Sequence, residues 1–302
     1  MAVKNSKYTL LESLGNSLNY TVITLLVLIC LYPFLNVISY SLSSNRAILS
    51  GWITIYPMEF QLQSYQNILS KQSIWQSMGV TIFVTLMGTF IALLLTICAA
   101  YALSKKKLKG RMILTMMIMF TMYFGGGIIP TFLVVKGLGL LDSLWSLILP
   151  SVMSAFNFII MRTFFSQLPE SLEEAAILDG CNDFSVLIRI VLPLSLPIIA
   201  TIGLFYAVGY WNEYFTSLMY ITTPSKFTLQ LKLRQLLFTE ELNQLSSVGS
   251  SGGNSGEGLG QMVMPESLKA ASIIVSTIPI ILVYPWLQKY FVKGVMLGSI
   301  KG

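Results

Sequence analysis

Side chains able to do chemistry gather at two places in this sequence. One is an acidic run, Glu170, Glu173, Glu174, Asp179 and Asp183, opposed within its own stretch by Arg189 alone. Acids crowded in this way suit a complementary basic surface on a partner. The other is YWNEYF (210–215), in which Tyr210, Trp211, Asn212 and Glu213 set aromatic faces beside an amide and a carboxylate. Such groups stack on, and hydrogen-bond to, a hydroxyl-rich ligand. Other chemistry is closed off. The chain has no histidine, which removes His-based metal sites and Ser-His-acid or Cys-His catalysis. It has no GxxxxGK[ST] loop, so it does not carry an ATP-hydrolysing site of that kind. An intramembrane enzyme built on a Ser-Lys or paired-acid arrangement stays open as an alternative, although no candidate pair falls within one span. Cys30 and Cys98 lie in apolar runs and Cys181 in a loop, so no disulfide framework is implied.

The elements that carry these residues are apolar. Hydrophobic residues make up 54% of the 302 and charged residues 11%, with a mean hydropathy of +0.72. A soluble domain carries about a quarter charged residues, so the outer surface is expected to face lipid. The net charge of +6 does not indicate nucleic acid, because the basic residues sit in short clusters between apolar runs. A bilayer core of about 30 Å needs roughly 20 apolar residues in a helix. Six stretches reach that length: 20–42, 76–103, 112–135, 144–165, 192–220 and 268–290. The first is too long for a signal-peptide core and is followed by no small-x-small cleavage site, so it is expected to be retained. This gives an all-α membrane protein with six transmembrane helices.

Orientation follows from Lys and Arg. With the N-terminus inside, twelve basic residues are cytoplasmic (Lys4, Lys7, Lys105, Lys106, Lys107, Lys109, Arg111, Arg162, Arg189, Lys289, Lys293 and Lys301). Seven lie outside (Arg46, Lys71, Lys136, Lys226, Lys232, Arg234 and Lys269), spread over longer segments. Both termini are therefore expected in the cytoplasm. Residues 1–19 form a cytoplasmic segment, in which Tyr8, Leu11, Leu14 and Leu18 fit either an interfacial helix or a frayed tail. Residues 20–302 form the membrane domain, with a cytoplasmic loop over 167–192 and a long outer loop over 222–267. Another outer segment, 43–75, contains Trp52, Tyr56 and Tyr65. Helix breakers fall inside spans at Gly125, Gly126, Gly127 and Pro130, at Pro193 and Pro197, and at Pro279 and Pro285. Backbone groups freed at such breaks must find partners within the protein.

Local rules predict two short helices meeting at an angle in the 167–192 loop. Ser171 is the expected N-cap, with Glu174 completing a capping box. Gly180 follows the last helical residue as a left-handed C-cap, and Asn182 or Asp183 caps the second helix. Leu172, Ala175, Ala176 and Asp179 share one face of the first helix, and Glu173, Glu174, Ile177 and Leu178 the other. Alanines permit close approach of another backbone. The loop reads as a stiff peg.

EAAILDG (174–180) followed by RIVLPLSLP (189–197) resembles the EAA coupling motif of ABC-importer permeases. The six-span layout, with this motif between the fourth and fifth spans, resembles the MalG-like branch that imports carbohydrates. The segments GGGIIPTFLVVKGLGLLDSLWSLILP (125–150) and YPWLQKYFVKGVMLGSIKG (284–302) are similar to that branch as well. The resemblance implies the type I ABC-importer permease fold in a bacterial cell membrane. It implies no cofactor of the chain's own, since ATP is hydrolysed by partner subunits. Those partners are a second, MalF-like permease, a pair of ABC ATPase subunits and an extracellular solute-binding protein, with an oligosaccharide as substrate. Glu173, Glu174, Ala175, Ala176, Asp179 and Gly180 would then dock in a cleft of the ATPase, and a bulky residue at Gly180 would misalign the second helix and uncouple transport. A sugar pathway would draw on Tyr123, Asn157, Tyr206, Tyr210, Trp211, Asn212 and Glu213, although Tyr and Trp also form interfacial belts. The Gly/Ser-rich SSVGSSGGNSGEGLG (246–260) departs from that branch and reads as a flexible spacer. Other readings are a permease for a different small solute or an ion-coupled secondary transporter. The latter calls for buried acids near the midplane and internal repeats, and would leave the EAA loop without a role.

Overall fold

The computed structural model describes residues 6–51, 53–250 and 265–299, with side chains for 12–51, 53–239, 242, 265–283 and 285. Trp52, most of the Gly/Ser-rich stretch, Lys4 and Lys301 lie outside the described residues, as do the side chains of Lys7, Tyr8, Leu11, Lys289 and Lys293 and nearly all those of 284–302.

Among the described residues there are helices and no strands. They are α1 (Ser6–Leu42), α2 (Asn45–Ser50), α3 (Gln63–Leu69), α4 (Gln72–Ser104), α5 (Arg111–Tyr123), α6 (Ile128–Gly137), α7 (Trp145–Ile148), α8 (Ala155–Ser166), α9 (Glu170–Leu178), α10 (Asp183–Val186), α11 (Leu192–Leu194), α12 (Leu196–Trp211), α13 (Phe215–Tyr220), α14 (Leu229–Ser250) and α15 (Pro265–Ser299). The chain falls into two compact units, residues 1–70 with 237–275, and residues 71–236 with 276–302.

In the first unit, α1 runs without interruption from Ser6 through Pro33, so the N-terminal leucines belong to the same helix as the first span. Its end is tied to the following loop by serines: Ser43 Oγ accepts from Met58 N at 3.1 Å, and Ser44 Oγ caps α2 by accepting from Ala47 N. Ser64 and Ser267 share a buried hydrogen bond of 2.5 Å. The outer segment 222–267 is not all loop, because α14 occupies Leu229–Ser250 within it.

The second unit holds the breaks. Three apolar helices are long enough to cross a bilayer unbroken, Glu12–Leu42, Gln72–Ser104 and Pro265–Val283. Three more candidates are bent pairs: Arg111–Tyr123 with Ile128–Gly137 at 116°, Trp145–Ser151 with Ala155–Ser166 at 54°, and Asp183–Leu194 with Leu196–Trp211 at 84°. The first break falls at the three glycines, where Gly127 takes φ +85°, a conformation that glycine alone adopts at little cost. The third falls at Ser195, between the two prolines. Pro197 falls in the first turn of α12 and has no N–H to donate back across the break. As a result, the fifth span starts four residues later than the prolines suggested and ends at Trp211, with α13 as a separate short helix. In contrast, α15 continues through Pro279 and Pro285.

Along α4, Val84, Gly88, Ala92, Thr96 and Ala100 recur every fourth residue and are buried. This narrow seam lets α12 and α8 approach closely, as small residues do in membranes. A Cβ at Gly88 would stand 2.8 Å from the Tyr210 ring, so no other residue fits without displacing that ring. Tyrosines then fasten the broken fourth span. The Tyr206 hydroxyl lies 2.7 Å from Thr96 Oγ1 and accepts from Ser154 N at 3.0 Å. The Tyr210 hydroxyl donates toward Ile148 O and Ser151 O at 3.3 and 3.4 Å.

At the far end of this unit, Asp142 clasps the segment after α13. Its Oδ1 accepts from Thr222 N and Thr223 N at 3.0 and 2.9 Å, and its Oδ2 from Thr223 Oγ1 at 2.6 Å and Lys226 Nζ at 3.1 Å. These bonds, led by the Thr223 hydroxyl, hold the Asp142 carboxyl far below the usual carboxylate range. Asp142 also sits at φ +55°, where Asp and Asn are tolerated better than other side chains.

Two outcomes follow from these contacts. Tyr206→Phe strands Ser154 N and the Thr96 hydroxyl, and should cost about 1–3 kcal/mol, read from unfolding of the protein in detergent micelles. Asp142→Asn keeps the backbone conformation but removes the charge. The folded pKa is depressed, so the stabilisation is complete above the unfolded value of about 3.9 and fades as pH falls through the folded one. The variant should melt a few degrees below wild type at pH 7, and the gap should narrow below about pH 4.

Candidate functional site

The acidic loop folds as an elbow. α9 begins at Glu170, two residues earlier than the capping-box reading requires. Its N-cap is Pro169 in an extended conformation, with no side-chain cap. Ser171 is therefore inside the helix, and the Ser171–Glu174 box is not formed. Glu170 and Glu173 instead sit in the first turn, where negative charge complements the helix dipole.

The C-terminal end is closed as the glycine signal indicated. Gly180 takes φ +83°, Gly180 N donates to Ile177 O at 3.0 Å, and Cys181 N donates to Ala176 O at 2.9 Å. Together these form a Schellman closure. Asn182 rather than Asp183 caps the second helix, its Oδ1 accepting from Ser185 N at 2.8 Å. The chain then passes through a wider π-helical turn at 187–191 into α11 and the bend at Ser195. Nothing lies within 4 Å of a Cβ built at Gly180. The need for glycine there is a matter of backbone conformation rather than of crowding.

The two faces of α9 are not used as the helical wheel suggested. Ala176 is buried and packs on the same core as Val186 and Leu187, whereas Ala175, Leu172 and Asp179 face outward. Glu173 pairs with Lys105, and Glu170 with Lys106 at 2.7 Å. The Lys106 ammonium holds the Glu170 carboxyl below its ordinary range. Two of the five acids are thus engaged by the chain's own basic loop, while Glu174, Asp179 and Asp183 remain exposed. Among them stand Ile177, Leu178 and Phe184, with Leu178 88% exposed. Ile177 and Leu178 were placed on the face shared with Glu173 and Glu174 but not read as site residues, and Phe184 was missed. The available signal was a leucine at the end of a helix, just before a left-handed turn, with no helical neighbour left to cover it.

The second site is a cavity of about 450 Å³ in the fourth-span break, walled by α12. Of the seven residues expected along a sugar path, Asn157, Tyr206, Tyr210 and Glu213 line it. Asn157 is 5% exposed, and among the described residues its side-chain amide has no hydrogen-bond partner. Glu213 lines the wall while its Oε1 accepts from Thr216 N at 2.9 Å, capping α13. Trp211 is elsewhere: its indole N–H donates to Ser276 O at 2.9 Å and holds α15. Asn212 turns back to Val208 O on its own helix at 3.0 Å, and Tyr123 is an exposed residue at the end of α5. Neither lines the cavity.

Five lining residues escaped the sequence reading: Ser151, Ser154, Phe156, Phe205 and Gly209. Phe156 and Phe205 are about half exposed, so the free aromatic faces belong to them rather than to the two tyrosines, whose hydroxyls are already bonded. Nothing lies within 4 Å of a Cβ at Gly209, so the missing side chain there leaves space open. The legible clue was LPSVMSAFN (149–157), where Pro150 and the capping Ser154 interrupt an apolar run.

This pairing of an exposed elbow with a cavity among broken spans has counterparts in known proteins. Residues 92–297 match the family model described as "Binding-protein-dependent transport system inner membrane component". The polygalacturonan/rhamnogalacturonan transport system permease protein YtcP of Bacillus subtilis (strain 168) is 46% identical over 289 residues, covering 96% of this chain and 99% of that one. Protein LplC of the same organism is 44% identical over 275 residues, covering 91% and 90%. A crystal structure of a bacterial ABC transporter that imports the acidic polysaccharide alginate contains a chain that superposes with a TM-score of 0.80 and 32% identity, over 96% of this chain and all of that one. The family match takes in α12, the elbow and the whole cavity wall, and the relatives extend it over nearly all of the rest. The chain is therefore a multi-pass cell-membrane permease of the binding-protein-dependent transport system inner membrane component family.

Proposed function

We propose that this permease is one half of the membrane path of an ATP-driven importer for oligosaccharides, and that it works by alternating access. The observation that carries the reading is one of continuity. α12 starts at the bend beside the elbow and ends at the cavity, and Phe205, Tyr206, Gly209 and Tyr210 are all on it. A helix of 16 residues is about 24 Å long, so one rod runs from the bend at Ser195, next to the elbow, to the cavity wall. Displacing the elbow therefore displaces the wall. The relatives named for polygalacturonan, rhamnogalacturonan and alginate support a sugar substrate. So do the cavity groups: faces of Phe156 and Phe205 for sugar rings, and the Asn157 amide and Glu213 carboxylate for hydroxyls.

The elbow would dock on an ATPase subunit through Leu178 and Phe184, with Glu174, Ala175 and Asp179 around them and Ala176 and Gly180 holding its shape. A second, MalF-like permease would complete the path, a pair of ATPases would supply the motor, and an extracellular solute-binding protein would deliver substrate. The motor side is the cytoplasm, in keeping with the basic loop at 105–111 that the elbow grips, and both termini would lie there too.

Two substitutions test the cavity and the rod separately, in the assembled transporter reconstituted in vesicles. Gly209→Leu fills the open wall, and should abolish oligosaccharide uptake while the complex still assembles. Normal uptake would remove the cavity from the path. Gly180→Ala and Gly180→Trp impose the same backbone strain, about 1–2 kcal/mol, and should lower uptake per ATP by a similar factor of about ten. A large loss with tryptophan alone would mean that crowding, not φ, governs the turn.

A further inference from the structure

The elbow is attached to the membrane helices by more than its covalent ends. Lys105 follows α4 directly, and its ammonium is engaged on two sides. It pairs with Glu173 of α9, and it lies 4.0 Å from the centroid of the Tyr101 ring. Tyr101 in turn meets Phe165 of α8 edge-on, with ring centroids 6.4 Å apart. The neighbouring backbone is pinned as well, since Arg162 Nε donates to Leu103 O at 2.9 Å. The side chains of Lys105 and Glu173 are 28% and 23% exposed, against 74% and 66% for Lys106 and Glu170. The outer pair is open to screening by salt and contributes little. The inner pair is sheltered, and its cation gains further from the aromatic face.

From this geometry we infer that Lys105 is a positioning residue for energy coupling, a non-covalent strut that carries displacement of α9 to the α4 and α8 helices. The inference rests on the reading of α9 as the coupling helix. Covalently, α9 connects to α8 through residues 167–169 and to α12 through residues 179–195, by way of α10 and α11. Neither link reaches α4, against which α12 packs and whose Gly88 receives the Tyr210 ring at the cavity. Through Lys105, motion of the elbow would move α4 together with α12, and the two cavity-bearing helices would shift as a body. Without it, the elbow would act on α4 only indirectly, through the packing of α12 and α8 and the core around Ala176.

The test uses the complete transporter in vesicles, with uptake and ATP hydrolysis measured together. Lys105→Gln and Glu173→Gln should each lower sugar moved per ATP by about three- to tenfold, while Lys106→Gln should stay near wild type. The charge swap Lys105→Glu with Glu173→Lys should recover most of the loss. A merely structural role would lower assembly, hydrolysis and uptake in proportion, leaving the ratio unchanged, and that result would overturn the inference. So would a swap no better than the single variants. In the same vesicles, Ala175→Cys should cross-link to the ATPase. A cross-link with an unchanged ratio sinks the strut alone, whereas no cross-link sinks the coupling reading and the strut with it.

Discussion

A backbone group freed inside a membrane has to be bonded by the protein, because hydrocarbon offers it nothing. That constraint organises the second unit. The fourth span is broken at 152–154, and the polar side chains that repair the break are the ones that build the cavity. Ser154 caps α8, Tyr206 receives the Ser154 amide, and Tyr210 reaches the carbonyls of Ile148 and Ser151. A straight helix would have needed none of these groups and would have left no space. The cavity is thus a consequence of the break, and its polar lining follows from the need to satisfy it.

The same logic separates two kinds of tyrosine function that composition cannot distinguish. Tyr206 and Tyr210 border the cavity, yet their hydroxyls are already committed to Thr96, Ser154 and nearby carbonyls. What they offer a ligand is ring edge rather than hydrogen bonds. Asn157 is the reverse: it is almost wholly buried but keeps its amide for the cavity.

Much of the architecture was legible in the sequence because it depends on local rules. Six apolar runs, the glycine and proline breaks and the Gly180 closure all arise within a few residues of chain. The failures are equally physical. The capping box at Ser171 was a sound local signal, but the helix starts directly after an extended Pro169, which leaves Ser171 inside its first turn. The acids read as a surface for a partner were partly spoken for by Lys105 and Lys106. Trp211 looked like a ligand-binding aromatic, but Ser276 in the last helix takes its N–H. Phe205 carried no signal, and the break in 149–157 marks the neighbourhood of Phe156 but not its role, since a phenylalanine in an apolar run is indistinguishable from one that faces lipid until the neighbouring helices are placed.

The third span extends the argument beyond this single chain. At Gly125, Gly126 and Gly127 the backbone is exposed, and among the described residues the amides of these glycines make no hydrogen bond. Thr131 returns to Gly127 O at 2.8 Å, which repairs one carbonyl and leaves the amides open. Such a stretch is not tolerated against lipid tails, so in the membrane it must face protein or water. In the proposed importer both are available, in the second permease and in the path between the two. The apolar side chains flanking the break, Phe124, Ile128 and Ile129, are exposed as well. Among the described residues this is the sharpest of the three bends, and in the proposed importer it would mark the side that meets the second permease or the path.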